Sequence, residues 1–322
     1  MAENKANILA ILEILKTYSD EDHMLTRKDF DELLLSKYGI SIERRTLYNS
    51  IATLNEFGYD ISNYSENGKG YYLRERQFEK SEVNLLCNSV FSSHIIPENE
   101  SNQLIDKLLK TQSKYEAKKF KEKVYSKNLR KTINRQFFLN IELINEAISD
   151  NKKISFIYTK YNYKKERVSR SNHLYTVSPY AVVYMNENYY LICNYDGYEE
   201  LSHYRIDKMN DIKILNQNVK PIEEDFEPYE YAKNKIYMFG GKIEEISLLC
   251  NDYILDDIID KFGKNTIIIP QDNNQFIAKI NASKQGITYW ILQYMRHCSV
   301  LEPQSLKDEI KVILNEALEN YK

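Results

Sequence analysis

The chain has 322 residues, 43% of them hydrophobic and 28% charged, which is enough for two or three domains with ample core. Its formal net charge of −3 excludes a uniformly basic nucleic-acid protein, so any such role must rest on local patches. No apolar run reaches membrane-spanning length and the N-terminus lacks a signal-peptide pattern, so a cytoplasmic protein without a membrane partner is expected.

Ile8, Leu9, Ile11, Leu12, Ile14 and Leu15 recur at helical spacing and predict an amphipathic helix from Lys5 to Tyr18. A second helix runs from about Thr26, whose hydroxyl can cap it, to Tyr38, and Gly39 stops it. Ser41 is the expected N-cap of a third, with Leu47, Ile51, Leu54 and Phe57 as its inner stripe. The opposite face carries Arg44, Arg45, Thr46, Tyr48 and Asn49. Tyr59 to Ile61, an Asn67-Gly68 turn and Gly70 to Leu73 then supply a wing, so residues 1–80 read as a winged helix-turn-helix. Arg reads guanine and Asn reads adenine in the major groove, while Lys69 at the wing tip suits a phosphate, so double-stranded DNA is the expected partner. The blander alternative is a helical interaction module with a solvated arginine pair. Asp20, Glu21, Asp22, Asp29, Asp31 and Glu32 make the same segment acidic and should lie away from the DNA face.

Residues 81–150 read as a helical linker. One helix begins at Ser81, another at Pro97, and Leu139, Leu143, Ile144, Ala147 and Ile148 mark a last one. Between Lys107 and Arg135 lies the most basic run of the chain, either a solvated helix and linker or a surface that tracks phosphates.

Residues 151–220 contain short strands with turns at Asn186-Glu187-Asn188 and Asp196-Gly197, the size of a small SH3-like or Sm-like barrel. Tyr161 to Asn172 is its expected polar loop, with Lys164, Lys165, Arg167 and Arg170. Twenty-seven tyrosines against one tryptophan favour side chains that both stack and donate hydrogen bonds, and several gather here. Period-two alternation puts Tyr204 and Ile206 on a core face and His203 and Arg205 on the other, directed outward. Tyr180, Tyr189, His203, Arg205 and Lys208 are the candidate effector contacts, through phosphate gripping and base stacking. For Arg205 the competing role is an internal salt bridge to Asp207 or Asp196, and for His203 a structural hydrogen bond.

The runs Val177-Ser178-Pro179-Tyr180-Ala181, Asn188-Tyr189-Tyr190-Leu191 and His203-Tyr204-Arg205-Ile206-Asp207-Lys208-Met209 resemble the core of the WYL-domain family of bacterial transcription regulators. Tyr190 and Leu191 match the Tyr-Leu of the family's Trp-Tyr-Leu triplet, Tyr189 replaces the tryptophan, and Arg205 matches the arginine of its "YRID" segment. The resemblance implies a winged helix-turn-helix, a WYL barrel that senses a ligand, often a nucleotide or nucleic acid, and a C-terminal extension that helps dimerisation.

Residues 221–322 begin acidic and then read as βαββαβ: strand Ile243 to Cys250, helix Tyr253 to Phe262, strands Thr266 to Ile269 and Phe276 to Ile280, helix Gly286 to Tyr294, strand Cys298 to Leu301. A final helix follows Pro303. The fold class expected is therefore α+β and multidomain: winged head, helical linker, small barrel and ferredoxin-like tail. Five dispersed histidines, four cysteines without a CxxC pair and no catalytic or phosphate-loop motif argue against an enzyme, a metal site or a cofactor. The expectation is a homodimeric DNA-binding regulator whose barrel senses a nucleotide or single-stranded nucleic acid. The alternatives are a phage-defence or CRISPR accessory protein that binds single strands through the barrel, and a non-enzymatic interaction adaptor.

Overall fold

The computed structural model describes residues 2–124, 131–132, 134–171, 173–222, 225–233 and 235–322. Lys127 and Arg130 of the basic run, Asn172 at the end of the expected polar loop, and the acidic Glu223 and Glu224 lie outside them. The fold is α+β and divides into two compact units, Met1–Ile133 and Asn134–Lys322.

In the first unit α1 (Ala2–Tyr18), α2 (Arg27–Tyr38) and α3 (Arg44–Glu56) close on a core that fully encloses Ile11, Ile14, Leu15, Phe30, Leu34 and Leu47. Thr26 and Asp29 form a reciprocal capping box at the start of α2, and Gly39 ends it at φ 65°. Ser41 does not cap α3. The Arg27 guanidinium donates to Ile42 O at 2.6 Å and Ile42 itself is buried, so the chain stays extended and the helix starts after Glu43. The wing is the antiparallel pair β1 (Ile61–Ser62) and β2 (Tyr72–Leu73). Between them Asn67-Gly68 closes a short helical turn, α4 (Tyr64–Asn67), because the Asn67 amide oxygen accepts from the backbone of Lys69 and Gly70.

α5 (Lys80–Ser92), α6 (Glu98–Leu109) and α7 (Lys114–Val124) share a second, smaller core around Val83, Cys87, Ile105 and Leu109. Here the capping box is made by Glu79 and Glu82, one turn that the Ser81 reading missed by two residues.

The second unit opens with α8 (Phe137–Ser149), followed by β3 (Lys152–Tyr161), β4 (Arg167–Ser169), β5 (Tyr175–Met185), β6 (Asn188–Tyr195), β7 (Leu201–Arg205) and β8 (Met209–Asn218). These pair antiparallel in the order β8-β3-β5-β6-β7, with β4 on the far end of β3. Asn186 and Glu187, at φ 48° and 60°, make the tight β5–β6 turn, the left-handed pair that matches strand twist. The sheet curls over α8, whose Phe137, Ile144 and Ala147 are enclosed like Ile154, Phe156 and Leu191 of the strands.

α9 (Pro228–Lys233) and a 3-10 turn at Ile236–Met238 lead to β9 (Ile243–Asn251), α10 (Leu255–Phe262), β10 (Ile267–Gln271), β11 (Gln275–Ser283), α11 (Lys284–Gln293), β12 (Cys298–Glu302) and α12 (Gln304–Glu319). The sheet order β10-β11-β9-β12, all antiparallel, is the ferredoxin-like arrangement expected from βαββαβ. Ile246, Leu248, Phe276 and Ala278 face Ile258, Ile287 and Trp290 in one core, each such side chain contributing roughly 1.5–3 kcal/mol by burial. No helix of the described residues is long and apolar enough to cross a membrane.

Candidate nucleic-acid and effector sites

The five α3 candidates occupy its first two turns, and the structure orders them unequally. The Arg44 Nε donates to Tyr48 Oη at 2.7 Å with the guanidinium 5.2 Å from the ring centroid, and Tyr48 is in turn hydrogen-bonded to Tyr71 beside the wing. Arg45 and Asn49 stand exposed one turn apart, Thr46 is half-buried, and Lys69 is exposed at the wing tip beside Gly68. The six acidic residues between Asp20 and Glu32 are taken up by neighbours. Asp29 caps α2, Asp31 pairs with Arg27, Glu32 with Lys28, Glu21 with Lys80 and Asp22 with Lys119, while buried Asp20 accepts from Ser113 Oγ and lies 2.7 Å from His23 Nδ1. Three hydrogen-bond donors to Asp20 outweigh its burial and hold its pKa below the ordinary carboxylate value.

Much of the basic run is likewise engaged. Lys119 pairs with Glu116, Lys121 with Asp106 and Lys118 with Glu122, and Lys114 lies over the Tyr18 and Tyr115 rings. Lys131 is structural: its Nζ donates to Val90 O, Ser93 O and Ser101 Oγ, closing the end of α5.

The densest charge constellation of the second unit centres on Asp207, 4% exposed at its side chain. Arg205 grips it with two bonds, Nε to Oδ1 and Nη2 to Oδ2, each 3.0 Å, and Arg167 Nη2 reaches Oδ2 at 3.4 Å. Tyr158 Oη accepts from the Arg205 backbone N–H, Thr159 Oγ1 donates to Lys208 O, and the Arg167 guanidinium stacks 4.3 Å from the Tyr161 ring. Arg170 and Lys208 complete the group. Burial first, and then the Arg205 charge, lower the Lys208 pKa, with Arg167 and Arg170 adding to the effect. Two guanidinium groups thus hold a single carboxylate, the Lys208 ammonium and Arg170 lie within electrostatic range, and the unbalanced charge is positive.

Of the effector candidates, Arg205 and Lys208 meet in this cluster and the others do not. Tyr180 Oη donates to Lys220 O. Tyr189 packs against Phe137 and Tyr184, with ring centroids 5.7 and 4.9 Å apart. His203 is not directed outward, because the Phe226–Met238 segment covers that part of the sheet face. Its Nδ1 lies 3.0 Å from Met238 O, so Nδ1 carries the proton and Nε2 accepts from Tyr231 Oη at 3.0 Å. Burial drives its pKa down to about 4, which keeps the ring neutral. Asp207 is buried, and the salt bridge that competed for Arg205 is formed. Tyr204 lies on the opposite face, half-buried and packed edge-on against Phe156, Tyr158 and Tyr175.

A family model described as the WYL domain matches residues 140–214. Residues 140–214 are thus similar to a WYL domain. The matched span holds most of α8 and the strands through most of β8, with the whole Asp207 cluster inside it. No curated protein matches the chain. Among solved structures, proteasome accessory factor B/C (PafBC) of Arthrobacter aurescens is similar over 99% of the chain at 14% identity and a TM-score of 0.29, and the chain spans about half (49%) of that chain's length. A CRISPR Cas-related protein is similar over 99% of this chain and 92% of its own, at 14% identity and a TM-score of 0.39.

Arg167 and Arg170 were absent from the expected effector contacts, since they sat in what read as a polar loop. The loop contains β4, and the register Tyr161↔Arg167 folds it back on β3 so that Arg167 reaches Asp207. An Arg-x-x-Arg pair between two strand patterns was the available signal.

Proposed function

We propose that this WYL-domain protein is a DNA-binding transcription regulator that works as a homodimer and carries no catalytic activity. Its winged head reads duplex DNA through Arg45 and Asn49, with Arg44, Thr46, Tyr48 and Lys69 set against the backbone. Its WYL domain senses a nucleotide or a short single strand at Arg205 and Lys208, joined by Arg167 and Arg170. The observation that carries the reading is the surplus of positive charge around Asp207. A carboxylate that locks two guanidinium groups while leaving net positive charge preorganises donors for an anion, and a phosphate offers the matching oxygens. A dimer reads paired half-sites, so an effector that changes the spacing of the heads changes operator affinity.

The test is a gel shift on the protein's own upstream DNA at low salt, where the phosphate contribution is largest. Arg45→Ala is expected to weaken duplex binding by about 5- to 100-fold, the worth of roughly 1–3 kcal/mol for one base-reading arginine. Short oligonucleotides should still bind that variant and be lost from Arg205→Ala. Duplex binding that is indifferent to Arg45→Ala would remove the recognition helix from this reading.

A further inference from the structure

The same unit holds a second cluster of cations, away from the Asp207 cluster. The β5–β6 turn, the α9 segment and the C-terminal sheet enclose a cleft of about 540 Å³, within the range of small-molecule sites. Specific contacts build its walls. Lys261 of α10 donates to Asn186 Oδ1 at 3.1 Å, tying the turn to the C-terminal region. Gly286 lets α11 approach Ile236 so closely that a Cβ there would lie 2.7 Å from Ile236 O, which fixes the segment that carries Lys235.

Four lysines line the cleft, Lys233, Lys235, Lys261 and Lys279, against two carboxylates, Glu245 and Asp260. Lys279 pairs with Glu245 at 3.4 Å and Lys233 with Glu230 at 3.7 Å, both exposed pairs of little net strength. Lys235 and Lys261 differ. Among the described residues neither has a carboxylate within 4.0 Å, and Lys235 is only 7% exposed. Lys235 donates to Gly241 O at 2.5 Å and lies over the Tyr231 ring, and Lys261 lies over the Tyr237 ring. Burial lowers the pKa of both, and at Lys235 the charge of Glu200, which is not within ion-pair distance, offsets this only in part. An ammonium taken from water without a counter-ion is costly, and each has three donors of which the fold uses one. An anion in the cleft supplies the missing charge. Beside the lysines the wall is apolar, with Met185, Phe262, Ile267 and Ile280.

We propose that this cleft binds a small phosphorylated ligand of nucleoside-monophosphate size, its phosphate drawn to Lys235 and Lys261 and its flat body laid against Phe262 and Ile267. A long polyanion fits less well, because Glu245 and Asp260 line the same cleft and the volume holds one nucleotide. The site shares no residue with the Asp207 cluster and stands whether or not that cluster senses a ligand.

The experiment is isothermal titration of the full chain with AMP and UMP at low ionic strength, with adenosine as the control without phosphate. At least one nucleotide is expected to bind, and adenosine at least 10-fold more weakly than AMP. Lys261→Met is expected to weaken binding 10-fold or more. Glu245→Gln, an exposed change that releases Lys279 from its partner, is expected to tighten it 2- to 5-fold; a merely structural cleft would not respond in that direction. If neither nucleotide binds, if adenosine binds as well as AMP, or if Lys261→Met and Glu245→Gln both bind like the parent, the site is refuted. Binding that Lys261→Met leaves intact and the charge-keeping Arg205→Lys removes would assign the nucleotide to the Asp207 cluster and overturn the cleft.

Discussion

Asp207→Asn separates two roles that one carboxylate plays in the WYL domain. The substitution keeps the shape and removes the charge that Arg205 and Arg167 share, with Arg205 27% exposed and Arg167 12%. Breaking a buried pair costs about 3–5 kcal/mol, and the partial exposure of Arg205 places this case near the lower end, at about 3 kcal/mol. For a unit of about 150–250 residues, 1 kcal/mol moves the midpoint by about 2–4 °C, so the Asn134–Lys322 transition should fall by roughly 6–12 °C. The same change deletes the only carboxylate hydrogen-bonded to those guanidinium groups among the described residues, and so raises the net positive charge. Affinity for a short oligonucleotide should therefore rise as stability falls. Differential scanning calorimetry gives the first quantity, and fluorescence anisotropy with a labelled pentanucleotide gives the second, each at fixed ionic strength. A fall below about 2 °C would mean that the pair does not hold the domain together. A stability loss without tighter binding would mean that the cluster is structural and does not attract anions.

Three further outcomes follow from single contacts. His203 has a folded pKa of about 4 against 6.5, so the unfolded chain binds a proton first, and stability present above pH 6.5 is lost as pH falls toward 4, by up to about 3 kcal/mol; urea unfolding from pH 7.5 to 4.5 should show this slope in the parent and a flatter one in His203→Phe. Lys131→Met leaves Val90 O, Ser93 O and Ser101 Oγ without their shared donor and should destabilise the first unit by about 2 kcal/mol in urea unfolding, whereas a solvated lysine would show no change. Gly70→Ala puts a Cβ 2.5 Å from Leu25 O and should open the two backbone bonds between Leu25 and Tyr71, read as faster amide exchange at those positions.

Local chemistry made most of the fold legible. Thr26 with Asp29 and Gly39 bounded α2, the Asn186-Glu187 turn fixed the β5–β6 hairpin, and the alternation of βαββαβ gave the C-terminal sheet its order. The errors came where a distant group competed with a local signal, as when Arg27 held Ile42 extended and displaced the Ser41 cap. The site was legible by halves for the same reason. Period two assigns Arg205 and His203 to one sheet face, but only tertiary structure says that Phe226–Met238 covers His203 and leaves Arg205 at the margin. Asp207 lies two residues from Arg205, and its capture of Arg167 depends on a strand return that spacing alone does not specify.

A chain of net charge −3 is no obstacle to a polyanion-binding face, because charge acts locally at physiological salt. The screening length is about 8 Å, so what matters is which charges lie unopposed within one or two side-chain lengths. In the first unit the acidic stretch from Glu21 to Glu32 is spent on neighbours: Asp31 on Arg27, Glu32 on Lys28, Glu21 on Lys80, Asp22 on Lys119 and Asp29 on a helix cap. Arg44 is steadied by a neutral phenol, which aims its charge without cancelling it, and Arg45 enters no ion pair among the described residues. In the second unit Asp207 orders more positive charge than it neutralises. Both faces thus keep cations that are positioned and still available, the condition an anion needs to bind tightly at little entropic cost.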